Sequence, residues 1–320
     1  MLNSKIFLTG GTGFFGKALL RHHLSSADSL APQISVLSRN PEQFLAAYPE
    51  FSGHPSITFL KGDIQQRDTL PWSHSFTHVL HAAADSTIGP RLTPMQRYDQ
   101  IVDGTRNILD LAVATGARRF LLTSSGAIYG PQLADLVAIP EAWPGSPPLS
   151  EASTAYGQAK RSAEHLCALV GEQHGLETVV ARCFAFVGPD LPLDVHFAIG
   201  NFIRDALTAD AITVSGDGTP LRTDLDQSDL AHWLLTLLEH GRPGQAYNVG
   251  SDEVISIAAL AHLVRDLLAP DKPVHILGKA NIAAARNRYV PDISKVQRDL
   301  GLTVSVPLAE AVRRSGEDHR

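Results

Sequence analysis

Apolar positions along the chain follow two alternating periods. Short apolar runs at Ile6 to Leu8, Ile34 to Leu37, Ile57 to Leu60, Val79 to His81, Phe120 to Thr123 and Thr178 to Arg182 read as strands, several of them apolar on both faces. Helical spacing fills the intervals. Ala18 to Leu24 reads as one helix, and Tyr98 to Thr115 as another, with Ile101, Ile108 and Ala112 on one face and Gly116 where it should stop. A third runs from Ala155 to Val170, with Gly171 and Gly175 marking its exit. Strands that alternate with helices predict an α/β fold, a doubly wound parallel sheet spanning residues 1–182. After Arg182 the pattern changes. Gly188-Pro189 interrupts it, and a less regular series follows: a helix at Phe197 to Ala209, a short strand at Ile212 to Val214, and a turn at Gly216-Asp217-Gly218. Helices are then expected at Leu230 to Leu238, Ile257 to Leu268, Ile293 to Leu300 and Leu308 to Arg313. Residues 183–320 therefore read as a smaller, mainly substrate-binding α/β region, capping the carboxyl edge of the sheet and returning elements to the first domain.

The turn between the first strand and the first helix reads Thr9-Gly10-Gly11-Thr12-Gly13-Phe14-Phe15-Gly16. Each spaced glycine answers a physical demand. Gly10 allows a sharp turn at the strand end, Gly13 lets backbone N–H groups approach a pyrophosphate, and Gly16 lets helix and sheet pack closely. The helix N-terminus then favours the phosphates through its unpaired N–H groups and its dipole. In this context the turn is a dinucleotide site, and the sheet a Rossmann sheet. A ribose-binding carboxylate is expected about 20 residues further on, at the end of the second strand. Here Ser38-Arg39 stands instead. A hydroxyl replaces the acid that would repel a 2′-phosphate, and Arg39 can pair with one, so NADP(H) is preferred and NAD(H) remains possible.

A chain of 320 residues supports a large core, and its net charge of -6 with scattered Lys and Arg offers nucleic acid no basic stripe. The N-terminus enters a strand directly, and no apolar run approaches the roughly 20 residues a membrane span needs, so the chain reads as cytoplasmic. Cys167 and Cys183 fall in apolar surroundings and read as reduced core thiols. His78 and His81 lie three apart on a strand, hence on opposite faces, which argues against a metal pair.

Tyr156 and Lys160 stand four apart on the third helix and project from the same face. Ser125 follows the fifth strand at its carboxyl end. Together they suit hydride chemistry on an alcohol or ketone. A phenol exchanges the hydroxyl proton, a neighbouring ammonium favours the phenolate, and the serine hydrogen-bonds the reacting oxygen. Between Pro131 and Ser153 lies a Pro- and Ser-rich stretch, read as an active-site border.

With these residues in place, the chain resembles an extended short-chain dehydrogenase/reductase of the nucleotide-sugar epimerase, dehydratase and reductase group, over nearly its whole length. Further matches are Gly62-Asp63-Ile64, His81-Ala82-Ala83-Ala84, Val102-Asp103-Gly104-Thr105-Arg106-Asn107, Thr123-Ser124-Ser125-Gly126-Ala127-Ile128-Tyr129-Gly130, Arg182 with Gly188-Pro189, and Tyr247-Asn248-Val249-Gly250. The resemblance implies that Gly10, Thr12, Gly13, Phe14, Phe15 and Gly16 surround the cofactor phosphates. It also implies that Asp63 and Ile64 contact the adenine, that Ala82, Ala83 and Ala84 lie along the cofactor, and that Thr123, Tyr156 and Lys160 border it. On the substrate side it implies a nucleotide-diphosphate sugar gripped by Arg222 and by Arg286 or Arg288, with Asn201 near base or ribose. It further implies a homodimer built from the helices at Tyr98 to Thr115 and Ala155 to Val170.

Three positions depart from the family pattern. Sugar 4,6-dehydratases of the group carry an acidic pair directly after the triad's Ser or Thr, but here Gly126-Ala127 stand there, which disfavours dehydration. Ile101 replaces an Asn, removing a polar contact behind Lys160, and Ala185 replaces an Asn that contacts substrate. The expectation is oxidation or reduction at ring C4: reduction of a 4-keto-6-deoxy sugar nucleotide, or, as the alternative, 4-epimerisation with tightly bound NAD. A non-catalytic dinucleotide sensor or scaffold is the competing class; such proteins can dispense with the triad, and all three of its residues are present.

Overall fold

Ile6, Phe7 and Leu8 are buried on both faces of strand β1 (Lys5–Thr9), as a strand sandwiched between helices requires. β1 lies inside a seven-stranded sheet in the computed structural model, which describes residues 4–25, 32–84, 92–195, 197–279 and 287–320. In chain order the strands are β1, β2 (Gln33–Ser38), β3 (Ile57–Lys61), β4 (His78–His81), β5 (Arg119–Ser125), β6 (Glu177–Cys183), β7 (Phe186–Val187), β8 (Ile212–Val214), β9 (Leu221–Arg222), β10 (Leu225–Asp226), β11 (Ala246–Val249), β12 (Ile255–Ser256) and β13 (Val274–Ile276). The sheet order is β11-β6-β5-β4-β1-β2-β3, and β1 pairs in parallel with both β2 and β4. Strand order therefore reverses between β1 and β4, the place where open sheets of this kind bind ligands.

Register sets the site. Thr9 lies opposite Leu37 and His81, Leu37 opposite Leu60, and His81 opposite Leu122. One row across five strands thus brings the next residues, Gly10, Ser38, Lys61, Ala82 and Thr123, to one carboxyl edge.

The helices are α1 (Phe14–Ser25), α2 (Pro41–Ala47), α3 (Pro94–Ala114), α4 (Ala155–His174), α5 (Ala198–Thr208), α6 (Gln227–His240), α7 (Ile257–Leu268), α8 (Ser294–Leu300) and α9 (Leu308–Asp318). α3 begins four residues before its apolar spacing predicts. Thr93 caps it, accepting from the Gln96 N–H while the Gln96 side chain accepts from the Thr93 N–H, and Pro94 fits the first helical position. α4 ends at Gly175, whose φ of 69° is the left-handed cap conformation. α3 and α4 lie along each other over the sheet. Ile101, Ile108, Ala112, Ala159, Ala163 and Cys167 bury against Phe7, Val79, Phe120 and Leu122 there. Burial pushes the Cys167 thiol well up, so it is a core residue with little nucleophilic character.

Two compact units divide the chain, and the division is interleaved along the sequence. The first takes described residues within Met1–Ile128, Pro147–Arg182 and Ala231–Tyr247; the second takes those within Tyr129–Ser146, Cys183–Leu230 and Asn248–Arg320. Ala231–Tyr247 belongs to the first unit, and β11 joins the sheet beside β6. In the second unit Asn248 is a hub. Its Oδ1 accepts from the Tyr129 hydroxyl at 2.9 Å, and its Nδ2 donates to the carbonyls of Ile139 at 2.8 Å and Asp292 at 2.9 Å. Within the Pro- and Ser-rich stretch, Ile139 is thereby tied to Asn248.

Candidate active site

Gly10 has a φ of 73°, and a Cβ there would lie 2.5 Å from the Ala82 carbonyl oxygen; one at Gly16 would lie 2.2 Å from the Cα of Gly11. The fold itself requires glycine at these two positions. Gly13 differs. A Cβ there would meet only the Gly10 carbonyl oxygen, at 3.5 Å, an ordinary contact. Protein packing therefore does not account for glycine at the N-terminus of α1. An anion drawn close to the backbone N–H groups does, so the turn fits the diphosphate of a dinucleotide.

Around this turn the carboxyl edge is polar and tightly bonded. The Thr9 hydroxyl accepts from Ala83 N at 3.3 Å and meets His81 Nδ1 at 2.7 Å, while His81 Nε2 meets the Thr105 hydroxyl at 3.3 Å. Burial, with Lys160 nearby, pulls the His81 pKa down to about 3. A neutral imidazole has one donor and one acceptor nitrogen, which this pair of hydroxyls satisfies. His81 is thus a brace between β1, β4 and α3. Asp63 turns its carboxylate onto Gln65 N at 2.9 Å, and the Ile64 carbonyl accepts from Asn107 Nδ2 at 2.8 Å. Gly104 leaves room for the Ile64 side chain, since a Cβ there would lie 2.6 Å from its Cδ1. Ser38 is buried at the end of β2, with Asn40 N donating to its hydroxyl at 3.3 Å, and Arg39 is exposed beyond it.

The first unit also brings the catalytic candidates together. Lys160 is 4% exposed, and its Nζ donates to the Thr123 carbonyl at 2.7 Å, which fixes the ammonium at the end of β5. Nζ stands 5.9 Å from the centroid of the half-buried Tyr156 ring. The carbonyl of Thr123 supplies a polar contact for Lys160, while Ile101 is 2% exposed within the apolar core. Gly126–Tyr129 forms a 3-10 turn directly after Ser125, and Ala127 N donates to the Ser125 Oγ at 3.2 Å. With that acceptor position used, the hydroxyl hydrogen is available to a reacting oxygen.

In the second unit Arg222 and Arg288 line one cavity of about 390 Å³, together with Gly130, Pro131, Gln132, Ala134, Asn287 and Tyr289. β9 holds the arginines in register: Leu221 N donates to the Asn287 carbonyl at 2.8 Å, Tyr289 N donates to the Leu221 carbonyl at 3.1 Å, and Leu221 bridges Arg288. Arg222 Nη1 donates to its neighbour's carbonyl at 2.8 Å and to Asn287 Oδ1 at 3.2 Å. Two guanidinium groups on one cavity suit a diphosphate. The Pro- and Ser-rich stretch borders this cavity with its first residues. Asn201 does not line it; its Oδ1 accepts from Arg204 Nη1 at 3.0 Å on α5. Arg286 lies outside the described residues.

The model of the NAD dependent epimerase/dehydratase family matches residues 6–250. The chain belongs to that family. UDP-glucuronic acid decarboxylase 6 of Arabidopsis thaliana is 30% identical over 322 residues, covering 99% of this chain and 89% of the relative. UDP-glucose 4-epimerase from Thermotoga maritima superposes with a TM-score of 0.83 at 22% identity, covering 99% of this chain and 98% of that one. The protein RMD from Pseudomonas aeruginosa, solved with NADPH, gives 0.80 at 24% identity, covering 99% and 98%.

As a member of the NAD dependent epimerase/dehydratase family, the protein is an enzyme of the extended short-chain dehydrogenase/reductase type, and no helix among its described residues is long and apolar enough to cross a membrane. Two features of this family member escape a reading of the sequence. Glu164 pairs with Arg182 and accepts from the Ser124 hydroxyl. Asp224, two residues beyond Arg222, is 7% exposed, and burial pushes its carboxyl up to about 7 although Arg222 pulls it down. Glu164 had one available signal, its place four residues after Lys160; Asp224 had none.

Proposed function

We propose that the protein reduces a 4-keto-6-deoxy sugar nucleotide at ring C4, using NADPH. The observation that carries this reading is Ser38-Arg39 at the end of β2, which favours NADPH as a consumed reductant; it stands beside a triad with Lys160 pinned to the end of β5, Tyr156 on the same helix face, and no acidic side chain in the turn Gly126–Tyr129 after Ser125. The dinucleotide, when bound, delivers the hydride to the sugar carbon. Tyr156 gives its phenolic proton to the ketone oxygen. Lys160 favours the phenolate left behind, and Ser125 donates a hydrogen bond to the same oxygen. Arg222 and Arg288 pair with the diphosphate of the substrate. A loss of water would need a further acid and base beside the triad, and Gly126-Ala127 supply neither.

Arg39 and Ser38 support NADPH, and the protein of the same fold solved with NADPH accords with it. Replacing Arg39 with Ala should lower kcat/KM for NADPH by about 10-fold or more, the worth of one charged hydrogen bond, and leave NADH unchanged. Steady-state kinetics with both cofactors checks this. The four-helix homodimer of α3 and α4 from two copies is part of the same proposal.

A 4-epimerase with tightly bound NAD uses the same three residues, and the likeness to UDP-glucose 4-epimerase favours it as the second reading. Incubation with a panel of sugar nucleotides, with and without NADPH, separates the two. Stoichiometric NADPH loss with a 4-keto-6-deoxy sugar nucleotide supports reduction; interconversion without added cofactor replaces it with epimerisation. UDP-glucuronate belongs in the panel, because release of carbon dioxide from it would overturn both readings.

A further inference from the structure

Glu164 stands one helical turn beyond Lys160 and two beyond Tyr156, so the three side chains share a face of α4. Both carboxylate oxygens are engaged. Oε1 accepts from the Ser124 hydroxyl at 2.5 Å and from Arg182 Nε at 3.2 Å, and Oε2 accepts from Arg182 Nη2 at 2.8 Å. The Arg182 and Glu164 side chains are only 15% and 14% exposed. Phe120 and Leu122 pack in the cluster that holds Ala159, Ala163 and Cys167, and side chains alternate along a strand, so Ser124 faces α4 as they do. Arg182 lies on β6, the neighbour of β5. One carboxylate therefore ties the helix that carries Tyr156 and Lys160 to the ends of two strands, one of which carries Ser125.

An ion pair taken out of water is a poor source of stability, because desolvation offsets most of the attraction, but a fully hydrogen-bonded one fixes geometry well. Ser125 follows Ser124 directly, and its hydroxyl must reach the same oxygen that Tyr156 protonates. We propose that Glu164 is a positioning residue for the reaction, holding Ser125 in place relative to Tyr156 through its bond to Ser124. The inference rests on the assignment of Ser125, Tyr156 and Lys160 given above. Small misplacements of reacting groups are costly in rate, about 100-fold for 1 Å.

The test compares Glu164→Gln, Ser124→Ala, Ser125→Ala and the double variant Glu164→Gln/Ser125→Ala, with NADPH and a 4-keto-6-deoxy sugar nucleotide. Glu164→Gln and Ser124→Ala should each lower kcat by about 10-fold and leave KM for both substrates unchanged, a partial misplacement on that scale. With Ser125 already removed, Glu164→Gln should cause no further loss, since the group it positions is gone. Losses that multiply in the double variant, or a lowered melting temperature with wild-type kcat, overturn the proposal. Should Glu164→Gln fail to fold, Ser124→Ala in the wild-type and Ser125→Ala backgrounds carries the same comparison. An inactive wild type sinks the reaction assignment and this inference with it; an active wild type with an undiminished Glu164→Gln variant sinks only the role of Glu164.

Discussion

Tyr156→Phe is expected to lower turnover by at least about 100-fold, the low end of what a positioned acid or base contributes, or roughly 2.7 kcal/mol in the barrier. Only the hydroxyl is removed. The ring, on α4, packs against the margin of the core cluster, and phenylalanine keeps that contact, so folding and NADPH binding should be retained. Steady-state turnover, a circular dichroism melt and NADPH titration on the same preparation separate these effects. Turnover near that of the wild type would remove Tyr156 from the chemistry.

Asp224→Asn should raise stability in alkaline solution and leave it unchanged in acid. The carboxyl is buried, and its pKa moves from the ordinary 3.8 to about 7. A folded-state value above the unfolded one means that the charged form opposes folding. Below pH 4 both states hold the proton and no cost arises. Between pH 4 and pH 7 the unfolded chain releases its proton first, and the cost grows; above pH 7 it is complete, on the order of 4 kcal/mol for three pKa units. Asparagine removes the charge and keeps the shape, while its own buried amide retains part of the cost. Melting curves from pH 4 to pH 9 should show the variant gaining several degrees over the wild type above pH 7 and converging with it near pH 4. Parallel curves across that range would contradict the buried charge. Arg222 balances the same carboxylate and lines the two-arginine cavity of the second unit.

Most of the sheet was legible because its strands are buried on both faces, and six apolar runs between helical intervals have few other readings. The glycine turn was legible from its own spacing between strand and helix: Gly16 answers a clash with Gly11 inside the turn, while the clash of Gly10 is with Ala82 beyond the neighbouring strand β4. The two-residue strands β7, β9, β10 and β12 were not, since two residues cannot show a period and their pairing is set by partners far along the chain. The early start of α3 lay in Thr93, Pro94 and Gln96, a capping box that apolar spacing overlooks. At the site, the placing of Tyr156 and Lys160 on one helix face and of Ser125 at the end of β5 could be read, because helical spacing and the strand end fix them. His81 and Asp224 could not, and Glu164 only through its place four residues after Lys160, because their surroundings come from burial and from partners on other elements, which spacing does not encode.

The central claim is that a hydride reaches ring C4 of a sugar nucleotide while Tyr156 supplies the proton to its oxygen. NADPH deuterated at the transferable position, incubated with a 4-keto-6-deoxy sugar nucleotide, tests it most directly. The account predicts one deuterium at C4 of the product, by mass and proton spectra, and unlabelled substrate with Tyr156→Phe over the same interval. Deuterium at another carbon, or product formed without label, would contradict it.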